Sequence, residues 1–298
     1  MNSLLNEFGW AGPSAQQLRQ KHVLPTSTFV RCMGLDVHVS IEGSGPDVVM
    51  IHGFAASLHT WNDVCSTMSK QFRIIRFDLP PFGLTGPALD EQGQVRKMDV
   101  AFYQQFVDAV LDELQIKKCV MIGNSFGGFL SWDQAQRHPE RVRGLILSDA
   151  VGYQAPLPIY ITLFTIKPIA WLTRYTVPAF LLRMAVRDVY GDKRKLKKEV
   201  LDRYLELFMH KPNRSAVGQM VGVFTDGEFG SERLPQIQCK TLIVWGGDDR
   251  WVSIEMAGRF NRDLPHSELK VYREVGHIPM EEAPDRFAAD CIDFIEKL

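Results

Sequence analysis

The sequence predicts an α/β fold: a mostly parallel sheet with helices on both faces, into which a helical cap is inserted. Three observations carry this. Short runs such as Val48-Val49-Met50-Ile51 and Cys119-Val120-Met121-Ile122 are apolar throughout, as strands buried on both faces are. Segments with helical spacing alternate with these runs, the order that parallel strands joined by crossover helices require. The alternation stops over residues 152–234, where helical patterns continue without a convincing strand.

Residues 1–27 are polar and irregular, end in Pro25-Thr26-Ser27, and are expected to form a loosely attached arm. Residues 29–41 alternate around Gly34 as a β-hairpin does. After a turn over 43–46, strands are expected at 48–51 and 72–77. Phe102, Phe106, Val110 and Leu114 recur at helical spacing and predict a helix over 100–114. A strand at 119–122, a helix over 129–136 that stops before Pro139, and a strand at 142–147 follow. The last strands are expected at 241–245 and 269–272, and a helix over 283–297 closes the chain. The core therefore comprises 28–151 and 236–298, and the cap 152–235.

The 298 residues suit one core with an insertion, since a domain takes roughly 100–200 residues. The formal net charge of −1 gives no steering toward nucleic acid. Five cysteines, an odd number without a C-x-x-C pair, read as free thiols in a reducing compartment. Residues 1–10 have no basic start, and Glu7 interrupts them, so no signal peptide is expected. The uncharged stretch 150–166 contains Gly152, Pro156 and Pro158 and is short for a bilayer span. A cytoplasmic chain without a transmembrane segment is expected; nothing in the sequence sets an oligomeric state.

The chemistry gathers at strand ends. Gly123-Asn124-Ser125-Phe126-Gly127 matches G-x-S-x-G between a strand and a helix, the context of a nucleophile elbow. A serine in so tight a turn needs small neighbours, and the helix N-terminus behind it offers unpaired N–H groups to a developing oxyanion. His277, after the last strand, is the candidate general base. Asp248 and Asp249 follow one strand and Asp149 another, and each is a candidate to hold the imidazole tautomer. His52 reads as structural, His138 as a surface residue, and His22, His38, His59, His210 and His266 carry no motif.

Residues 48–294 resemble the α/β-hydrolase superfamily. The matching pieces are His52-Gly53, Asp78-Leu79-Pro80-Pro81-Phe82-Gly83, the elbow, Trp245-Gly246-Gly247-Asp248-Asp249 and Gly276-His277. The resemblance implies oxyanion N–H groups on Phe54 and Phe126. Its W-G-x-x-D spacing selects Asp249 ahead of Asp149 and Asp248. The departure is Pro81, where the family usually has glycine. A serine at the elbow implies an acyl-enzyme, whereas relatives that open epoxides use aspartate there. No cofactor, nucleotide loop or metal motif is expected.

The cap begins with an apolar stretch that includes Leu157, Ile161, Phe164 and Trp171. It predicts packing on the core first, an apolar pocket next and an interfacial lipid contact last, so that no membrane partner is expected. The basic run Lys193-Arg194-Lys195 reads as a solvated face. The leading expectation is a carboxylesterase acting on small esters with apolar groups. The alternative is a carbon–carbon bond hydrolase of vinylogous diketones. The G-N-S-x-G-G elbow and 199–203 resemble those enzymes, with Arg203 at the position of their carboxylate-binding arginine, but 52–57 lacks their extra oxyanion-loop glycines. Arg203 is therefore expected to face solvent or pair with Asp202 or Glu199. A non-catalytic ligand sensor is the third reading, weakened because every triad member has a candidate.

Overall fold

The computed structural model describes Glu7 and residues 12–173, 175–225 and 229–298. The rest of the first eleven residues, where no signal peptide is expected, lie outside the described residues, as does Arg174 at the head of the basic part of the cap.

Strands β1 (Ser27–Cys32) and β2 (Leu35–Glu42) form the hairpin. Its two-residue loop, Met33-Gly34, has positive φ at both positions (50° and 82°), as hairpin turns that match strand twist do. Then come β3 (Asp47–Ile51), β4 (Arg73–Phe77), β5 (Cys119–Asn124), β6 (Val142–Ser148), β7 (Lys240–Gly246) and β8 (Ser267–Tyr272). The sheet order is β1-β2-β4-β3-β5-β6-β7-β8. β1 and β2 run antiparallel, β2 meets β4 antiparallel, and the rest is parallel.

Alternate residues of the parallel strands feed two cores. Val49, Ile51, Met121, Leu145 and Ile243 face one side, with α3 (Val100–Glu113), α4 (Phe126–Arg137) and α11 (Ile254–Asp263). Val48, Met50, Val120, Ile122 and Val244 face the other, against α2 (Asn62–Met68) and α13 (Pro284–Glu296). Each such side chain contributes about 1.5–3 kcal/mol on full burial. Between β6 and β7 the described residues form no strand. They form α5 (Ile159–Thr165), α6 (Lys167–Thr173), α7 (Ala179–Asp188), α8 (Lys198–Met209), α9 (Lys211–Met220) and α10 (Gly222–Thr225). A short α12 (Pro279–Glu282) precedes α13. No helix of the described residues is long and apolar enough to cross a membrane. All five cysteines are unpaired, and four are buried.

The N-terminal arm differs from the loose, irregular segment expected. Ala15–His22 is a helix, α1, opened by a capping box between Ser14 and Gln17. It is pinned at several points. His59 of the core donates through Nε2 to the His22 carbonyl (2.7 Å). His22 Nε2 meets Glu206 Oε2 of α8 (2.8 Å), and His210 Nδ1 donates to Pro13 O (2.8 Å). Arg19 lies over the Phe29 ring at 4.2 Å. The arm thus ties the core to the cap. Buried Asp78 anchors the neighbouring loops: it accepts Leu58 N–H (2.7 Å) and Leu84 N–H (2.7 Å) and pairs with His38 Nδ1 (2.8 Å).

β3 lies between β4 and β5; the chain passes from β3 to β4 on one side and then crosses to β5 on the other, and the crevice beyond the carboxyl ends of β3 and β5 is the usual ligand position in such sheets. The buried histidines make this architecture acid-sensitive. Burial pushes the His59 imidazole down to about 3, against a smaller opposing pull from Asp78, and burial also lowers His22 and His52. The unfolded chain, with histidines near 6.5, therefore binds protons that the fold excludes. Stability is expected to be full above about pH 6.5 and to fall toward pH 3, by about 1.4 kcal/mol per pH unit for His59 alone. Unfolding midpoints measured from pH 7 to pH 5 check this: the wild-type midpoint should fall, His59→Gln should flatten the slope, and a flat wild-type profile would contradict it.

Candidate active site

β5 passes into α4 through Ser125, whose φ of 54° and ψ of −119° are rare for a side-chain-bearing residue and cost of the order of 1–3 kcal/mol. The surroundings hold that strain. Ser125 N–H donates to Ser148 O (3.0 Å), and Ser125 O accepts the N–H groups of Phe129 (3.2 Å) and Val151 (3.0 Å). Three backbones converge here closely enough to demand glycine. A Cβ on Gly123 would lie 2.2 Å from Gly127 O, one on Gly127 2.2 Å from Ile51 O, and one on Gly53 2.9 Å from the Ser125 Cβ.

Phe126 N–H is a first-turn donor of α4, which the helix leaves without an internal acceptor. Phe54 is the second residue of the turn 53–56, closed by Ala56 N–H to Gly53 O (3.4 Å), and its own N–H takes no part in that closure. Apolar rings surround both: Phe54 packs edge-on to Phe82 (5.3 Å), and Phe126 to Tyr103 (4.8 Å). His52 is buried, accepts Leu79 N–H at Nε2 (2.8 Å) and bonds Gly53 O through Nδ1 (2.8 Å). Both ring nitrogens serve the loop, so His52 is structural.

His277 and Asp249 meet across the loops after β8 and β7: His277 Nδ1 lies 2.7 Å from Asp249 Oδ2. Asp249 Oδ1 accepts Trp251 N–H (2.7 Å) and Val252 N–H (3.0 Å), which fixes the carboxylate. Asp248 is exposed, and its backbone N–H binds Val275 O (2.9 Å). Asp149 lies behind the pair. It is buried at a φ of 46°, and its oxygens accept Gly246 N–H (2.8 Å) and the Ser148 hydroxyl (3.0 Å). Burial, and then the Asp249 charge, push the Asp149 carboxyl well above the usual range. One ring nitrogen of His277 and one oxygen from each of Asp149 and Asp249 lie within 4.8 Å of one another, the metal-capable cluster found among the described residues. Those oxygens already accept protein donors, which leaves the cluster poorly disposed to hold an ion.

Several residues that position this site carry no sequence motif. Asn124 Nδ2 donates to His277 O (2.9 Å) and Ser148 O (3.2 Å), joining the elbow to the histidine loop. Trp251 stacks on the His277 ring, with centroids 5.8 Å apart, and its buried Nε1 has no acceptor among the described residues. Glu282, buried on α12, accepts Gly276 N–H (2.8 Å), Gly191 N–H (3.0 Å) and Asp192 N–H (2.8 Å), clasping the cap to the histidine loop. His277 N–H donates to Val189 O (2.8 Å), also in the cap.

Ser125 and His277 line a common cavity of about 60 Å³ with Phe54, Tyr204 and Trp251. A second of about 60 Å³ runs from Ser125 past Tyr153, Phe224 and Met256. A third, apolar cavity of about 350 Å³ lies among α5–α8, bounded by Phe54, Leu163, Leu182, Phe208 and Trp251. Phe54 and Trp251 belong to all three. Among the described residues no lysine, arginine or acidic side chain lines them. Arg203 is absent from their walls and does not take the expected role on its own helix. Asp202 is paired with Lys198 (2.5 Å), while Arg203 Nη2 faces Glu281 Oε1 of α12 at 3.5 Å, both side chains mostly buried. Glu281 also accepts the hydroxyls of Tyr190 (2.6 Å) and Tyr204 (3.0 Å). Glu281 lies 78 positions beyond Arg203, so spacing within the helix could not have suggested it.

Residues 46–284 match the model of the alpha/beta hydrolase fold family. An uncharacterized hydrolase of Bacillus subtilis (strain 168) is 29% identical over 258 residues, covering 84% of this chain and 89% of that one. A 2-hydroxy-6-oxononadienedioate/2-hydroxy-6-oxononatrienedioate hydrolase of Pseudomonas sp is 27% identical over 270 residues, covering 88% and 92%. The structure of a thermophilic esterase from Thermogutta terrifontis shares the fold, with a TM-score of 0.76 at 20% identity over 91% and 98% of the two chains. With a strained serine between β5 and α4 and a family match over most of its length, the chain belongs to the alpha/beta hydrolase fold family.

Proposed function

We propose that the protein is a serine hydrolase that cleaves carboxylic esters with apolar groups through an acyl-enzyme. The observation that carries this is the His277–Asp249 hydrogen bond (2.7 Å) beside a cavity that Ser125 shares. Ser125 Oγ attacks the ester carbonyl while His277 Nε2 takes its proton. Asp249 holds the Nδ1 proton and so keeps Nε2 free to accept. The N–H groups of Phe54 and Phe126 receive the charge that develops on the carbonyl oxygen. The alcohol leaves with the proton from His277, and a water, deprotonated the same way, releases the acid.

The 2-hydroxy-6-oxononadienedioate hydrolase keeps carbon–carbon cleavage in view as the second reading. That relative's substrate name denotes a dicarboxylate. A carboxylate carried into these cavities would be desolvated without a cation to meet it, since Arg203 is engaged with Glu281 away from them and no lysine or arginine lines the walls among the described residues. This supports an uncharged ester.

Ser125→Ala is expected to lower turnover by on the order of 10⁴–10⁶ while retaining the fold. A fluorophosphonate probe should label the wild type alone, and a labelled mutant would sink the assignment. Asp249→Asn is expected to cost about 10⁴-fold in kcat. Asp149→Asn, which leaves the His277 contact intact, should cost far less; the reverse ranking would make Asp149 the orienting acid. Arg203→Ala should keep kcat/KM for a neutral ester within about threefold. A loss confined to acidic substrates would instead promote carbon–carbon cleavage.

A further inference from the structure

We propose that the cap docks on an anionic lipid surface, from which the site draws its ester substrate; this rests on the ester-hydrolase reading and names its substrate class. Ile159, Ile166, Trp171, Leu172, Tyr175 and Phe180 are 44–64% exposed, although each is a large apolar or aromatic residue. They fall within 22 residues of α5–α7 and the turns between them, where a self-contained domain would bury or disperse such side chains. The patch adjoins the apolar cavity of about 350 Å³: Leu172 is 48% exposed and also lines that cavity. A volume of this size falls in the range of ligand sites. The cavity shares Phe54 and Trp251 with the space beside Ser125, so an apolar wall leads from the outer surface to the nucleophile.

Charge selects the occupant. Residues 151–187 contain Lys167, Arg174, Arg183 and Arg187 and no aspartate or glutamate; Arg183 is neutralised by Glu7 (2.7 Å), which leaves Lys167 and Arg187 as the exposed cations described there. Lys167 follows the exposed Ile166, and Arg187 is exposed on the helix that carries Phe180. Exposed Trp, Phe and Leu with interspersed Lys and Arg are the composition of a surface that lies in a headgroup layer. Each basic residue there adds attraction to an anionic leaflet. A second copy of the chain docked by the same face would set the charges of Lys167 and Arg187 against themselves, Glu7 being taken up by Arg183.

The test uses full-length Ser125→Ala protein, so that binding is read without turnover. It is sedimented with phosphatidylglycerol vesicles and with phosphatidylcholine vesicles. Binding to the first and weaker binding to the second is expected. Trp171→Glu with Phe180→Glu, both at exposed positions, should weaken the binding at least about tenfold. With Ser125 restored, the double variant should keep kcat/KM for a soluble short-chain p-nitrophenyl ester within about twofold and lose hydrolysis of vesicle lipid. No vesicle binding, or equal binding by the double variant, overturns the proposal. So does a dimer that the double variant dissociates in a chain that ignores vesicles. Vesicle binding by a wild-type chain that neither hydrolyses esters nor reacts with the fluorophosphonate would leave the docking intact and defeat the ester reading alone.

Discussion

The close approach of three main chains around Ser125 governs the rest of the molecule. The β3 loop passes the N-terminus of α4 so tightly that a single methyl group on Gly127 would strike the Ile51 carbonyl at 2.2 Å. That contact requires β3 and β5 to be neighbours, which they are because the chain crosses back over β3 on its way from β4 to β5. The crevice and the raised serine both follow from that arrangement. The strained Ser125 backbone persists because Ser148, Phe129 and Val151 all bond to it.

Two carboxyl groups share the space behind His277, and their surroundings divide the work. Asp249 accepts two backbone N–H groups and meets the imidazole. Asp149 sits deeper, where burial and the neighbouring charge favour its protonated form. The two positions that compete in the sequence therefore lie side by side in the fold.

What the sequence could reveal follows from the range of each interaction. The central strands were legible because burial on both faces leaves an apolar run, and the elbow because the close approach admits only glycine at fixed offsets. Hairpin and closing helix also match the pattern within a residue or two at their ends. The helix Ala15–His22 escaped because Leu18 is its one large apolar side chain; the Ser14–Gln17 capping signature was its only local sign. α2 was missed for a related reason: its sequence, NDVCSTM, is short and rich in weak helix formers. Arg203, Asn124 and Glu282 find their partners across long stretches of chain, and no local pattern encodes such partners.

Glu282 bears on how separable the cap is from the core. It binds the backbone of Gly191 and Asp192 together with that of Gly276, while His277 itself donates to Val189. Residues 189–192 are thus cap by chain order but belong mechanically to the histidine loop. A chimaera that exchanged everything between β6 and β7 would remove part of the bracket that aligns His277. The transplantable unit has its seams on either side of that strap, and a lid that swings open would pivot elsewhere, leaving this corner as the fixed end.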